Sequence, residues 1–382
     1  MKDNHKACAD ITNPQLKSTV VPIPLTGERL ALHRGPYKAE HDLLVIDDPG
    51  GWRESAIRLM DGTRTMDDIA QALENDRLPV NTAALRRFVE ALADTGVIAD
   101  AEALSTAGLS DDEAARYSRN LNAWAALTAD GRSATALQRE LGQGHVLMLG
   151  VGGLGTVAAL ALAMAGCGRL SLVDFDVVEL QNLNRQLLYG IADLGKGKIH
   201  AAEAGLRLVN PHVKVSTLNA KLTGPDQVRN LIESIKPDIV VSAVDRPTVA
   251  VDRWINDACF ALGIPFNGNS VSGLTGLLWT KIPGETGCFC CDDLWSQKNT
   301  PNHYEVKRYR EKHDLIAATS AFSFTAMAIG AMIASDVVRY LVKWPVASAG
   351  RMILLDFSTL TTLVYERPAH PDCPICGVAP SQ

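Results

Sequence analysis

The spacing of hydrophobic positions changes character along this chain. Over residues 19–48 they fall in short runs, TVVPIPL, ERLALHRG and HDLLVID, separated by turn residues, and such runs predict strands. WRESAIRLM then shows helical spacing and is closed by DGT. Thr65 stands as the N-cap of TMDDIAQAL, with Asp67 and Asp68 giving an acidic first turn. Asn81 caps NTAALRRFVEALADTG, and Gly96 terminates it. The pattern predicts a small module of three strands and three helices over 19–100, preceded by a loose polar arm over 1–18. The small polar residues of AEALSTAG, 101–108, read as a linker, and Ser110 with Glu113 opens a new helix in a capping-box pattern.

From residue 145 strand and helix alternate. HVLMLG, RLSLVD, VKVSTLN and DIVVSAV read as strands, and LGTVAALALAMAG, KGKIHAAEAGLRLV and DQVRNLIESI as the helices between them. This alternation predicts an α/β fold, a Rossmann-like, doubly wound parallel sheet over 109–382, beside a small N-terminal α+β domain. Residues 316–335 carry no charge and are long enough to tempt a membrane-spanning assignment. Their Ala, Ser, Thr and Gly content, with Asp336 and Arg339 following at once, favours a buried helix and no membrane partner. The N-terminus lacks the apolar run of a signal peptide, so the expected location is the cytoplasm. A net charge of -6 gives no footprint for nucleic acid.

The chemistry-bearing residues fall at the junctions of this pattern. Gly150, Gly152, Gly153 and Gly155 form a GxGGxG loop that leaves a strand and opens a helix, where unpaired N–H groups and the helix dipole favour phosphate. Asp174 ends the next strand, about 20 positions on, where a ribose hydroxyl is expected. The run DFDVVELQNLNRQLLY and the GKGK after it add what a triphosphate requires and a dinucleotide does not. Arg185 and Lys198 supply cations, Asn182 and Gln186 can hold phosphate or metal-bound water, and Asp245 at a strand end is a Mg²⁺ ligand candidate. Asp176 and Asn184 of the same runs complete the candidate nucleotide set.

These motifs closely resemble the E1-like superfamily, including the molybdopterin and thiamine sulfur-carrier adenylyltransferases. LSDDEAARYSRNL resembles the opening helix with its RYxRQ motif, Asn120 replacing the usual Gln; GVGGLG, DFD, NLNRQ, GKGK and SAVD follow in family order from Leu109 to Gly377. The resemblance implies an E1/ThiF adenylation domain that binds ATP and Mg²⁺. It implies that Asp174, Asn182, Arg185 and Lys198 contact ATP and that Asp245 holds Mg²⁺. It also implies a homodimer in which Arg119 reaches the partner's nucleotide. The resulting candidate catalytic residues are Arg119, Arg185, Lys198 and Asp245.

Cys288, Cys291, Cys373 and Cys376 form two CxxC pairs, a set suited to a structural, tetrahedral Zn²⁺, with Cys290 as a potential substitute ligand. The loop after the first pair, residues 292–320, contains no further cysteine for a thioester, so the acyl-adenylate is expected to be attacked directly. Its basic residues Lys307, Arg308, Arg310 and Lys312 either lie over an acidic substrate tail or are simply solvated. Cys167 and Cys259, on apolar segments, read as core. The N-terminal module resembles the PqqD-like, winged-helix-like modules that bind leader peptides by strand addition. Joined to an E1-like core, it resembles the peptide-modifying enzymes of microcin C and pantocin A biosynthesis. The expectation is therefore ATP-dependent activation of a carboxylate in a short ribosomal precursor peptide, in peptide antibiotic biosynthesis. The alternatives are adenylation of a ubiquitin-like Gly-Gly sulfur carrier, or a non-catalytic peptide-binding scaffold, which would have no need of Asp245 or Lys198.

Overall fold

A computed structural model of the chain describes residues 11–33, 43–78, 80–127, 132–315, 318 and 320–376. It divides into two compact units, Met1–Arg139 and Glu140–Gln382. The helices Asp111–Arg116 and Ser118–Leu127, placed in the larger domain by the sequence reading, cluster with the first unit.

In the first unit, β2 (Val21–Leu25), β3 (Arg29–His33) and β4 (Leu43–Asp47) form an antiparallel sheet in that order. Pro22 and Pro24 sit in β2, an edge strand, where a missing N–H costs no ladder bond. Leu30, Leu32, Leu44 and Ile46 share the face packed into the core with Ile57, Ile69, Leu73, Leu85 and Val89. Those last residues come from the helices Trp52–Leu59, Met66–Asn75 and Thr82–Asp94. Thr65 caps the second of them in a capping box with Asp68, and Asn81 caps the third by accepting from Ala83 N. The expected loose arm needs correction. Pro14–Leu16 is a strand, β1, paired antiparallel with β5 (Ile98–Asp100). Both pieces are too short for periodicity to show, and they meet only through a contact distant in sequence. The expected linker likewise contains a short helix, Ala101–Leu104, capped by Asp100, whose carboxylate also accepts from Thr12 N and Asn13 N. Cys8 lies outside the described residues.

The second unit is built on one sheet ordered β13-β12-β11-β10-β9-β6-β7-β8. Its parallel half comprises β10 (Phe266–Ser272), β9 (Ile239–Ser242), β6 (His145–Leu149), β7 (Arg169–Val173) and β8 (Lys214–Leu218). β11 (Thr275–Lys281), β12 (Arg351–Asp356) and β13 (Thr361–Glu366) extend it antiparallel. β6 and β9 are buried throughout, which explains why they read as unbroken apolar runs. The helices Pro225–Ile235 and Ala250–Leu262 cover one face through Val228, Ile232, Val251 and Ile255. In the other layer the helices Lys198–Val209 and Ser323–Leu341 both pack on Gly153–Ala165.

Ser323–Leu341 is long and apolar enough to cross a membrane, yet it packs on Gly153–Ala165 and on β10 and β11. Asp336, expected just beyond this helix, lies within it, and is 2% exposed, accepting hydrogen bonds from Ala347 N and Ser348 N at 3.1 Å. A buried carboxylate satisfied in this way belongs to a protein core. Strand order reverses between β6 and β9, and that switch point opens a crevice at the carboxyl ends of the strands.

Candidate active site

The crevice is a cavity of about 690 Å³. Gly150 follows β6 with φ +90°, and a Cβ there would stand 2.4 Å from the Ala243 carbonyl oxygen; at Gly155 it would stand 2.1 Å from the Gly150 oxygen. Only glycine permits this tight passage from strand to helix. Asp174, just past β7, accepts from Val151 N and Asp176 N, both at 2.9 Å, so its carboxylate fastens the glycine loop to the next strand end. The Tyr189 hydroxyl donates to the Val151 carbonyl at 2.7 Å; burial pushes its pKa up, so it remains a donor.

Lys198 is 6% exposed and its ammonium contacts Asp176 at 2.8 Å. Arg185 donates to the Gln181 carbonyl at 3.1 Å and to Asn184 Oδ1 at 2.9 Å, which sets its guanidinium. Asn182 accepts from Glu179 N at 2.9 Å. Gln186 is 4% exposed, and its Oε1 has no hydrogen-bond partner. Gly150, Gly152, Gly153, Asp174, Asp176, Asn182, Arg185, Gln186, Lys198 and Asp245 all line this one cavity. Gly155 lies behind the loop, and Asn184 acts on Arg185 instead of facing the cavity. Arg119 is exposed on Ser118–Leu127 of the first unit. A broader hollow of about 850 Å³ is lined, among the described residues, by Tyr304, Val306, Arg308, Tyr309, Arg310 and others of a single helix, and no strand end reaches it.

The cavity also holds residues absent from the sequence-based candidate set: Arg246, Asn269, Ala318 and Ser320, together with Arg310 from the basic run. Arg246 directly follows Asp245, and that adjacency to a strand-end carboxylate was the available signal. Asn269 had none. Residues 292–320, expected as a loop, instead carry helix from Phe289 to Asn299 and from Pro301 to His313. Helical apolar periodicity is missing there because no residue of Pro301–His313 is buried, so its helicity rests on charge pairing.

The Sγ atoms of Cys288, Cys291, Cys373 and Cys376 all lie within 4.8 Å of one another, without Cys290. Neighbouring sulfurs stand 3.4, 3.4 and 3.9 Å apart. Tetrahedral zinc with Zn–S near 2.3 Å requires edges of about 3.8 Å. Sharing a hydrogen with the neighbouring Cys288 sulfur lowers the Cys291 pKa, toward the thiolate a metal requires. Cys259 lies on a helix and Cys167 in the turn after one; both are fully buried, and burial pushes the Cys167 thiol up to about 12.

The comparisons with known proteins agree with this architecture. The ThiF family model matches residues 117–375. This chain belongs to the ThiF family. It is 34% identical over 276 residues to the adenylyltransferase and sulfurtransferase MOCS3 of Anopheles gambiae, covering 72% of this chain and only 57% of that protein. To the molybdopterin-synthase adenylyltransferase of Escherichia coli K12 it is 29% identical over 273 residues, covering 71% of this chain and 99% of the relative. Among solved structures, E. coli MccB with AMPCPP and MccA superposes with a TM-score of 0.74 at 20% identity, covering 95% of this chain and 99% of that one. PaaA superposes with a TM-score of 0.71 at 22% identity, covering 92% and 99%. The fold is thus the E1-like ThiF fold in an MccB-like layout.

Proposed function

We propose that the chain uses ATP to adenylate the carboxylate of a polypeptide substrate. A carboxylate oxygen attacks the α-phosphorus, the bond from that phosphorus to the oxygen bridging to the β-phosphate breaks, and pyrophosphate leaves with the electron pair. The observation that carries this reading is the convergence, in a ThiF-family chain, of the glycine loop, Asp174, Arg185, Lys198 and Asp245 on one cavity at the switch point. The glycine loop and the helix start offer N–H groups to phosphate. Arg185 and Lys198 offset the charge that builds on the departing pyrophosphate, and Asp174 orients the ribose. The oxygen ligands of Asp245 suit Mg²⁺, which when bound would screen the β- and γ-phosphates. In the homodimer proposed with this reading, Arg119 adds a cation from the partner. The four clustered thiols suit a structural Zn²⁺ that ties Cys288 at the start of Phe289–Asn299 to the C-terminal segment. Reduced cysteines gathered for a metal fit a cytoplasmic protein.

For the substrate, the sequence relatives favour a ubiquitin-like carrier ending in Gly-Gly over the expected precursor peptide. Both relatives described above are adenylyltransferases by name, and the bacterial one is matched over 99% of its length. One observation supports the peptide as a second reading. The family match begins only at residue 117, and the sheet and helices before it find a structural counterpart in MccB, which has been crystallised with MccA. The deciding experiment is ATP–pyrophosphate exchange by the purified protein, with a Gly-Gly carrier and with short peptides as separate substrates. Exchange with the carrier alone selects the sulfur-carrier reading, and exchange with peptide alone selects the peptide reading. Protein that binds peptide tightly but exchanges with neither overturns adenylation in favour of a scaffold. In the responding assay, Asp245→Ala should lower the rate by about a thousandfold without weakening substrate binding.

A further inference from the structure

Two arginines from segments far in sequence from the glycine loop line the cavity: Arg246, which no motif singled out, and Arg310, one of the four basic residues of the run after the first cysteine pair. Arg246 leaves the end of β9, and Arg310 comes from the helix Pro301–His313. That helix carries four basic residues, and the structure sorts them. Lys307 pairs with Asp293 at 2.6 Å, and Arg308 pairs with Glu311. Lys312 lies outside the nucleotide cavity. Only Arg310 of the four faces it, with its Nε donating to the Leu315 carbonyl at 3.2 Å. The helix end that presents it is anchored. Asp314 accepts from Thr248 N at 2.7 Å and contacts Arg246 at 3.3 Å, while Arg253 grips Glu311 at 2.9 and 3.1 Å.

This second pair of cations has a different task from the first. Arg185 and Lys198 belong to the wall that carries the phosphate loop. In-line displacement places the entering oxygen on the side of the α-phosphorus opposite the leaving pyrophosphate. The entering group is itself an anion, and it must approach a polyanion. It needs cations of its own, on another wall, and guanidinium matches a carboxylate with two parallel hydrogen bonds. Asn269 on β10, with Ala318 and Ser320, lines the same cavity and adds polar groups to it.

Building on the adenylation reading, we infer that Arg310 binds the substrate carboxylate before and during its attack, and that Arg246, held by Asp314, assists it as a positioning residue.

The test measures binding apart from turnover. Full-length wild-type, Arg310→Gln, Arg310→Lys and the control Lys312→Gln are titrated by calorimetry with a non-hydrolysable ATP analogue. In its presence they are then titrated with a Gly-Gly carrier, with a short peptide ending in a free carboxylate, and with the C-terminal amides of both. Arg310→Gln should weaken binding of the responding carboxylate probe at least about thirtyfold, about 2 kcal/mol, and leave the analogue's affinity within about twofold. Arg310→Lys should recover part of the loss, Lys312→Gln should match wild-type, and the amide should bind all four proteins with the same weak affinity. An equal loss of analogue affinity would make Arg310 a phosphate counter-ion and overturn the inference. So would unchanged carboxylate binding, or a wild-type protein that binds the analogue but neither carboxylate probe. Wild-type protein that binds the carboxylate probe through Arg310 yet, given ATP itself, supports no ATP–pyrophosphate exchange would support the inference while removing the adenylation reading.

Discussion

The two walls of the nucleotide cavity are built by different means. One is held by the backbone: glycines that pass within van der Waals distance of carbonyl oxygens, and an aspartate that accepts from two main-chain N–H groups. The other is held by side chains. Arg253, Asp293, Lys307, Glu311, Asp314 and Arg246 link the helix Pro301–His313 to its neighbours through ion pairs. The first kind of wall is written in short motifs at strand ends, the glycine loop and Asp174, whose backbone geometry brings them together. The second needs partners more than fifty positions apart, such as Arg253 and Glu311.

The comparison predicts unequal tolerance to substitution. Gly155→Ala attacks the backbone-built wall. The new Cβ meets the Gly150 carbonyl at 2.1 Å, and a main-chain atom in a tight loop has nowhere to retreat. ATP-analogue affinity, measured by calorimetry, should fall at least about a hundredfold, about 2.7 kcal/mol. An alanine variant that binds the analogue normally would show that the loop yields, and the contrast between the walls would lose its basis.

Arg253→Leu attacks the other wall. It takes Arg253 away from Asp293 and Glu311, whose side chains are only 9% and 14% exposed and which keep Lys307 and Arg308 as partners. Removing one partner of a largely buried pair typically costs about 3 kcal/mol; some solvent exposure and the remaining Lys307 contact make that an upper figure here. Limited proteolysis should cut faster within residues 301–313, and the urea midpoint should fall. The expected loss in ATP-analogue affinity is small, because none of these residues belongs to the wall that carries the glycine loop. A variant with normal protease resistance but weakened analogue binding would reverse the assignment.

The same contrast explains what could be read from the chain in advance. The glycine loop, Asp174, Arg185, Lys198 and Asp245 sit in contiguous motifs at strand ends, and the doubly wound sheet follows from apolar periodicity. The helix Pro301–His313 did not show, since a solvated helix stabilised by charge has no apolar stripe. β1 did not show, since a three-residue strand is defined by its partner. Arg310 was visible only as one of four basic residues, and nothing local distinguishes it from Lys307. The position of its side chain depends on where the helix packs.

The smallest effect tests what lies beneath the backbone-built wall. His145 begins β6, at the end away from the glycine loop, and is 9% exposed. Its Nε2 is 2.8 Å from Ser171 Oγ, which is 2.9 Å from Ser216 Oγ, so a chain of polar groups crosses β6, β7 and β8. Burial first, and then the Arg169 charge, lower the His145 pKa below its ordinary 6.5, against an opposing pull from Asp238 and a hydrogen bond involving Lys236. The folded state therefore binds fewer protons than the unfolded chain just below pH 6.5, and stability there rises with pH. The contribution is fully present above about 6.5, and it is lost as pH falls from there through the lower folded-state value. His145→Gln removes this titration and can keep one hydrogen bond to Ser171. Urea midpoints from pH 7.5 down to 5 should fall more steeply for wild-type than for the variant. Parallel curves would mean that the imidazole is solvated or already charged in the fold, and that the base of this wall is wetter than its geometry implies.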